Sequence, residues 1–339
     1  MVDRRPTIAD VAKQAGVSKG LVSFVFNERP GVAPKTRERI IAVAQEMGWR
    51  PRPNARSLSI RRSFALGLVV RRQPQVLSTD PFFPAFMAGV ETVLGGAGQV
   101  LVLSLVPDEE TEVHTYRTLH TDARVDGVFL TDLRRADLRL ALLAEIGLPA
   151  VTIGRHEAEQ PFPAVNLDDA PGVAETVAHL YGLGHRRIAY VAGDVELVHG
   201  RRRRASFLAA MQQLGCPTDM VVNTDFTAGQ AMIATTTLLD LAEPPTAIAY
   251  ASDLMAIAAI GVMHQRGLDV PGDISVAGFD GIDLGRHVFP TLTTVMADPV
   301  SWGQEAAQVL LQLVSSGAGE DRELPAAELV VRNSTSAPP

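Results

Sequence analysis

The sequence predicts two folds in one chain: a small N-terminal all-α unit built around a helix-turn-helix, and a larger C-terminal α/β unit of two lobes. Three observations predict this. Charge is divided unevenly: residues 1–62 carry 13 Lys/Arg against 5 Asp/Glu, whereas the rest of the 339 residues carry 18 against 33. Helical periodicity with stop glycines repeats between Thr7 and Gly48. From Phe64 onward, short apolar runs alternate with amphipathic stretches.

The charge split describes a basic module suited to a polyanion, joined to an acidic body. Apolar residues make up 46% of the chain, enough for sizeable cores. No run of about 18 uncharged apolar residues exists, so no membrane span is expected. The start, Met1-Val2-Asp3-Arg4-Arg5-Pro6, lacks the apolar stretch of a signal peptide. Cys216 is the only cysteine, so no intrachain disulfide can form, which agrees with a cytoplasmic protein.

In the first element, Ile8, Val11, Ala12 and Ala15 fall at i, i+3, i+4 and i+7, one face of a helix. Thr7 and Asp10 make a capping-box-like start, and Gly16 supplies a left-handed stop. Ser18 then caps a second helix whose buried side is Leu21, Val22 and Val25. A third helix begins at Pro34, presents Ile40, Val43, Ala44 and Met47 to the same core, and stops at Gly48. Two helices joined by a tight glycine turn are a helix-turn-helix. The stretch Pro51–Leu58 is helix-prone but too short to be stable alone in water.

Beyond Phe64 the candidate strands are Ala65–Val70, Val100–Leu105, Gly127–Leu130, Ala150–Ile153, Ile188–Ala192, Thr246–Tyr250 and Ile274–Gly278. Helix-like stretches between them include Ala85–Leu94, Val173–Leu183, Ala205–Leu214 and Met255–Arg266. Such alternation implies doubly wound parallel sheets, and this length suits two lobes with a cleft at the strands' C-terminal ends.

The N-terminal stretch Thr7-Ile8-Ala9-Asp10-Val11-Ala12, followed by Ala15-Gly16-Val17-Ser18, Val22-Ser23, Val25 and Asn27, resembles the lactose/galactose repressor (LacI/GalR) family. So does Thr36-Arg37 followed by Gly48-Trp49-Arg50-Pro51-Arg52-Pro53-Asn54-Ala55-Arg56-Ser57-Leu58. The likeness continues through Asp80-Pro81-Phe82-Phe83, Asp168-Asp169 to Ala189, Pro271–Asp280 and Pro290–Val295, almost the whole chain. It implies a transcription regulator, expected to be a repressor, whose operator affinity is set allosterically by a small molecule, with a sugar or sugar derivative as the default. It also implies a periplasmic-binding-protein-like second unit. The expected division is residues 1–50 for DNA binding, 51–63 for a hinge helix and 64–339 for effector binding and dimerisation. Lobe one would hold about 64–164 and 297–324, and lobe two about 165–296 and 325–339.

In the resembled family the second helix enters the major groove. The positions that read bases are here Lys19, Gly20 and Phe24. Lys19 can donate to guanine, whereas Phe24 either meets a thymine methyl or packs inside the domain. Ser18, Ser23 and Asn27 are expected at phosphates, which fix position and not sequence, and Thr7 is expected among the DNA-binding residues. Ala55, Arg56 and Leu58 fall in the hinge. There the family pushes a leucine into the minor groove, and Leu58 takes that place unless it packs as a simple linker. Two reading heads imply a homodimer on a pseudo-palindromic operator.

For the cleft, the resemblance implies Phe82, Phe83, Arg201, Phe226, Ser252 and Asp280. Phe82 and Phe83 have the alternative of being a core pair. Of Arg201-Arg202-Arg203-Arg204, successive helical residues turn by 100°, so all four cannot enter the cleft, and Arg201 alone is expected inside. Four cations at a helix start oppose its dipole, which an anionic effector would offset. Ser252 replaces a common Asn and Ala297 a common polar residue, leaving the ligand open. No P-loop, GxSxG, HExxH or metal-spaced His/Cys cluster appears, so neither an enzyme nor a cofactor or metal is expected. A transport binding protein would share the cleft but would not need residues 1–62.

Overall fold

The structure is a computed structural model that describes residues 6–27, 29–49, 62–72, 77, 79–157 and 159–339. The chain forms two compact units, Met1–Phe64 and Ala65–Pro339.

In the first unit, α1 (Ile8–Gln14), α2 (Lys19–Phe26) and α3 (Pro34–Glu46) share a core of Val11, Ala12, Ala15, Val22, Val25, Ile40 and Ala44. The start of α1 is fixed by Asp10, whose carboxylate accepts from the Thr7 backbone N–H at 2.8 Å and from its hydroxyl at 2.6 Å. Gly16, at φ +64°, makes the turn to α2, and the Ser18 hydroxyl oxygen accepts from the Leu21 N–H at 3.1 Å. Ala33 caps α3 without a side-chain bond. Phe26 closes the core edge-on against Trp49, with ring centroids 5.1 Å apart.

The second unit contains two six-stranded sheets. The first runs β11-β5-β4-β3-β1-β2 and comprises β1 (Ala65–Arg71), β2 (Val100–Val106), β3 (Gly127–Leu130), β4 (Ala150–Ile153), β5 (Ala164–Asn166) and β11 (Arg322–Glu323), all parallel. The second runs β12-β10-β9-β8-β6-β7 and comprises β6 (Ile188–Ala192), β7 (Val221–Asn223), β8 (Ala247–Tyr250), β9 (Ser275–Asp280), β10 (Thr293–Met296) and β12 (Glu328–Val330). Only β12 is antiparallel to its neighbour there.

Helices α4 (Phe82–Gly96), α5 (Glu109–Thr121), α6 (Leu138–Ile146) and α11 (Pro299–Ser316) accompany the first sheet. Helices α7 (Ala170–Gly182), α8 (Val198–Gln213), α9 (Ala228–Leu239) and α10 (Asp253–Gln265) accompany the second. The chain passes between the lobes after β5, after β10 and after β11. Central strands β1, β3, β4, β6 and β8 are buried along nearly their whole length, which is why they read as continuous apolar runs.

The four helices expected between these strands all start earlier than their apolar periodicity indicates, and for α4 and α8 this bears on the site. Helix α4 begins at Phe82, so Phe82 and Phe83 stand in its first turn and not in a loop. Helix α8 begins at Val198, seven residues before the expected Ala205, because its first two turns are filled with His, Gly and Arg. Helices α4 and α11 cross closely: a Cβ on Gly89 would overlap the Val300 carbonyl, and one on Gly303 the Phe86 carbonyl. No helix among the described residues is long and apolar enough to cross a membrane.

Gly303→Ala should therefore push α4 and α11 apart and destabilise the larger unit by about 1–3 kcal/mol. The check is thermal unfolding beside Gly95→Ala, a site where a Cβ meets nothing within 4 Å.

Candidate functional site

The first unit offers a solvent-facing strip on α2. Lys19, Gly20 and Phe24 are exposed, on the opposite side from buried Val22 and Val25. Phe24 is 40% exposed and outside the core cluster, so its packing alternative does not describe it. A Cβ on Gly20 would meet only the Ser18 hydroxyl, at 3.8 Å, so the absence of a side chain there is not forced by the fold. Ser18 is exposed, while Thr7, Ser23 and Asn27 are half-buried. Asn27 donates to the Ser23 hydroxyl at 3.1 Å, and the Thr7 hydroxyl is engaged by Asp10. Ala55, Arg56 and Leu58 lie outside the described residues.

The second unit holds a cavity of about 360 Å³ between its lobes. Lobe one contributes Arg72, Asp80, Phe82, Phe83, Asp132 and Trp302; lobe two contributes His199, Arg202, Arg203, Phe226, Ser252 and Asp280. Phe82 and Trp302 meet edge-on at 5.9 Å, and Trp302 donates its indole N–H to the Val165 carbonyl at 2.8 Å. Phe83 touches the cavity but is 1% exposed and packs in the lobe-one core, so both expected roles meet in one residue. The Ser252 hydroxyl oxygen accepts from the Met255 N–H at 3.4 Å as the cap of α10.

Phe226 and Asp280 enter the cavity from left-handed backbone, at φ +68° and +109°. The Phe226 ring approaches so closely that a Cβ on Gly193 would overlap it, which requires glycine there. The turn after Asp280 is held by Asp253, whose carboxylate accepts from the Ile282 N–H at 2.8 Å and the Thr294 hydroxyl at 2.5 Å. Burial pushes Asp253 up to about 6.

Arg201 is not a lining residue. Its guanidinium pairs with Glu157 of lobe one at 2.5 Å. The reason is helical phase: with α8 starting at Val198, the inward positions are His199, Arg202 and Arg203, at i, i+3 and i+4. Arg203 is the cavity's buried cation. It lies 3.1 Å from Asp169 and 3.6 Å from Asp280, donates to the Ala251 carbonyl at 2.8 Å, and stands over the Phe279 ring at 3.5 Å. Arg202 faces Asp168 and Asp169 at 3.7 and 3.6 Å. Carboxylates of the protein itself thus offset three of the four cations at the start of α8, Arg201, Arg202 and Arg203.

On the lobe-one wall Arg72 donates to Asp132 at 2.8 Å. Burial pushes Asp132 up, but the Arg72 charge and hydrogen bond outweigh it and hold the group at about 2. Burial pushes Asp280 well above the usual carboxylate range, partly offset by Arg203. Burial, then Arg203, push the His199 imidazole down to about 4, so it is neutral near pH 7. The lobes also touch directly: the Val198 N–H donates to the Leu133 carbonyl at 2.8 Å, and the Arg135 N–H to Glu196 at 3.1 Å.

Arg72, Asp132, His199, Arg203 and Trp302 are functional candidates that the sequence reading missed. The i, i+3, i+4 spacing of His199, Arg202 and Arg203 was the available signal, usable only once the start of α8 is known. Among the described residues, no group of His, Cys, Asp and Glu could hold a metal ion.

Comparisons with known proteins agree with this architecture. The family model of bacterial regulatory proteins of the lacI family matches residues 7–52, and that of periplasmic binding protein-like domains matches 177–335. The HTH-type transcriptional regulator CelR of Thermobifida fusca is 34% identical over 323 residues, 94% of each chain. Among solved structures, a transcriptional regulator CelR–cellobiose complex has a TM-score of 0.75 at 33% identity, covering 97% of this chain and 100% of that one. A lac repressor dimer bound to operator and an anti-inducer has 0.83 at 28% identity, covering 98% and 100%. A helix-turn-helix unit followed by a two-lobed cavity domain defines a DNA-binding transcriptional regulator rather than an enzyme. The chain belongs to the LacI family of bacterial regulators.

Two outcomes follow from this geometry. Gly20→Ala should stabilise the first unit by about 0.5–1 kcal/mol, since Gly costs a helix that much relative to Ala; its melting temperature checks this. His199 is depressed from 6.5 to about 4, so the unfolded chain binds its proton first as pH falls. Stability from this group is therefore complete above about pH 6.5 and lost on going down to about 4. Denaturant titrations should show a shallower loss over that window in His199→Gln.

Proposed function

We propose that the chain is a ligand-controlled repressor that acts in the cytoplasm as a homodimer on a pseudo-palindromic operator. In this reading α2 lies in the major groove, with Lys19, Gly20 and Phe24 against base edges and Thr7, Ser18, Ser23 and Asn27 near phosphates. Residues 51–63, with Ala55, Arg56 and Leu58, form the hinge that kinks the minor groove. Phe82, Phe83, Arg203, Phe226, Ser252 and Asp280 receive the effector between the lobes, Arg203 taking the place expected for Arg201.

The observation that carries the effector class is the pairing of every lining arginine with a carboxylate. Arg72 meets Asp132, Arg155 meets Asp321 and Glu323 at 2.6 Å each, Arg202 meets Asp168 and Asp169, and Arg203 meets Asp169 and Asp280. Such pairs present fork-like donors beside acceptors without surplus positive charge, which suits the hydroxyls of a neutral sugar. The aromatic edges of Phe82, Trp302 and Phe226 suit its apolar faces. The relative solved with cellobiose supports the same class. Effector binding would change how the lobes meet, and with it the hinge, by ordinary linkage between two sites.

Thermal-shift screening of the full chain against neutral mono- and disaccharides, cellobiose included, sugar phosphates and nucleosides tests this. A concentration-dependent rise in melting temperature is expected with a neutral sugar. A response confined to sugar phosphates would overturn the neutral class. With the sugar that binds, Arg203→Ala should abolish the shift, while Arg201→Ala should leave the affinity within about threefold, under 1 kcal/mol.

A further inference from the structure

The exposed strip of α2 carries two positions whose side chains have no hydrogen-bonding group. Gly20 and Phe24 stand four residues apart, so they are neighbours on one face of the helix, away from buried Val22 and Val25. A Cβ on Gly20 would meet nothing nearer than the Ser18 hydroxyl at 3.8 Å, so the surface beside the Phe24 ring is an open notch. Phe24 is 40% exposed and outside the core cluster. Its place is held through the backbone. The Phe24 carbonyl accepts from the Arg29 N–H at 2.9 Å, and the Val25 carbonyl accepts from Arg37 Nη1 of α3 at 3.0 Å. The Arg29 guanidinium carbon lies 5.4 Å from the Phe24 ring centroid and covers part of one ring face. Ser23, the polar residue beside this pair, is half-buried, and its hydroxyl oxygen accepts from the Asn27 amide at 3.1 Å.

We infer that Gly20 and Phe24 together read the C5-methyl group of a pyrimidine, accepting thymine or 5-methylcytosine and disfavouring unmethylated cytosine. This deepens the reading above that α2 enters the major groove, and it rests on that reading. In the major groove the base edges are made of hydrogen-bond donors and acceptors, and the C5-methyl of thymine is their apolar feature. A phenyl ring pressed on the donors and acceptors takes them out of water and gives no bond in return. It gains only where it covers a methyl. 5-Methylcytosine carries the same methyl at the same carbon, beside an amino donor where thymine has an oxygen acceptor. Gly20 has no side chain with which to tell that donor from that acceptor. A site with cytosine at this position would then be bound according to its methylation, which makes the modification of the DNA a second input beside the effector.

The test uses the full chain and synthetic duplex DNA. Wild type first enriches a binding duplex from a random library. Each thymine of that duplex is then replaced in turn by deoxyuridine, which removes the methyl and nothing else. At one thymine of a half-site, wild type should lose about fourfold in affinity, the worth of one buried methyl. Phe24→Ala should bind the two duplexes equally, because the loss belongs to the pair of groups and not to either alone. Phe24→Leu keeps an apolar side chain and should still prefer thymine, which guards against a folding defect in the alanine variant. At the same position 5-methylcytosine opposite guanine should bind wild type within about twofold of thymine, and plain cytosine about fourfold more weakly than 5-methylcytosine. A deoxyuridine loss at no thymine, or one that persists in Phe24→Ala, would overturn the assignment. Equal binding of cytosine and 5-methylcytosine would overturn it as well. If wild type enriches no duplex, the groove reading itself falls and this inference with it, a failure distinct from the others.

Discussion

The buried Arg203 guanidinium is the interaction on which the cavity depends. It joins four elements at one point: α8, which carries it; Asp169 at the start of α7; the Ala251 carbonyl after β8; and Asp280 at the end of β9. A buried cation without partners would cost several kcal/mol, so the carboxylates and the carbonyl are requirements of its burial, not additions to it. The Phe279 ring below it closes the remaining side. The same cation helps keep His199 uncharged and lowers an otherwise strongly raised Asp280. Removing it would therefore disturb the charge state of the whole lobe-two wall.

The two walls solve the same electrostatic problem differently. In lobe one Arg72 and Asp132 pair directly at 2.8 Å, and the carboxylate stays ionised far into acid. In lobe two the charge is shared among Asp169 at 3.1 Å, Asp280 at 3.6 Å and the Ala251 carbonyl at 2.8 Å. The second arrangement can adjust to a ligand hydroxyl by small shifts. The first presents fixed donors and acceptors. A site of this kind gains orientation from one wall and adaptability from the other.

Much of the fold was legible because its signals are local. The capping carboxylate of Asp10, the glycine turn at Gly16 and the apolar faces of α1 to α3 lie within a few residues of each other. The buried central strands read directly as apolar runs. The cavity was legible only in outline. Phe82, Phe83, Phe226, Ser252 and Asp280 all line it, but the arginine was misplaced by two residues. Helix α8 starts without a side-chain cap and without an apolar period, so its phase could not be read from the chain. Arg72, Asp132 and Trp302 were missed because they come together only through tertiary packing, from segments far apart in sequence.

The three passages of the chain between the lobes carry a further consequence, for the order of assembly. Lobe one needs α11 and β11, residues 299–323, which follow every strand of lobe two except β12. As the chain leaves the ribosome, the half that emerges first thus stays incomplete until the other half is nearly made. Contacts of such long sequence separation close slowly, and until they close the Phe86–Val90 face of α4 lacks the helix that covers it. A newly made chain therefore exposes an apolar surface for most of its synthesis, a window in which chaperone capture would protect it.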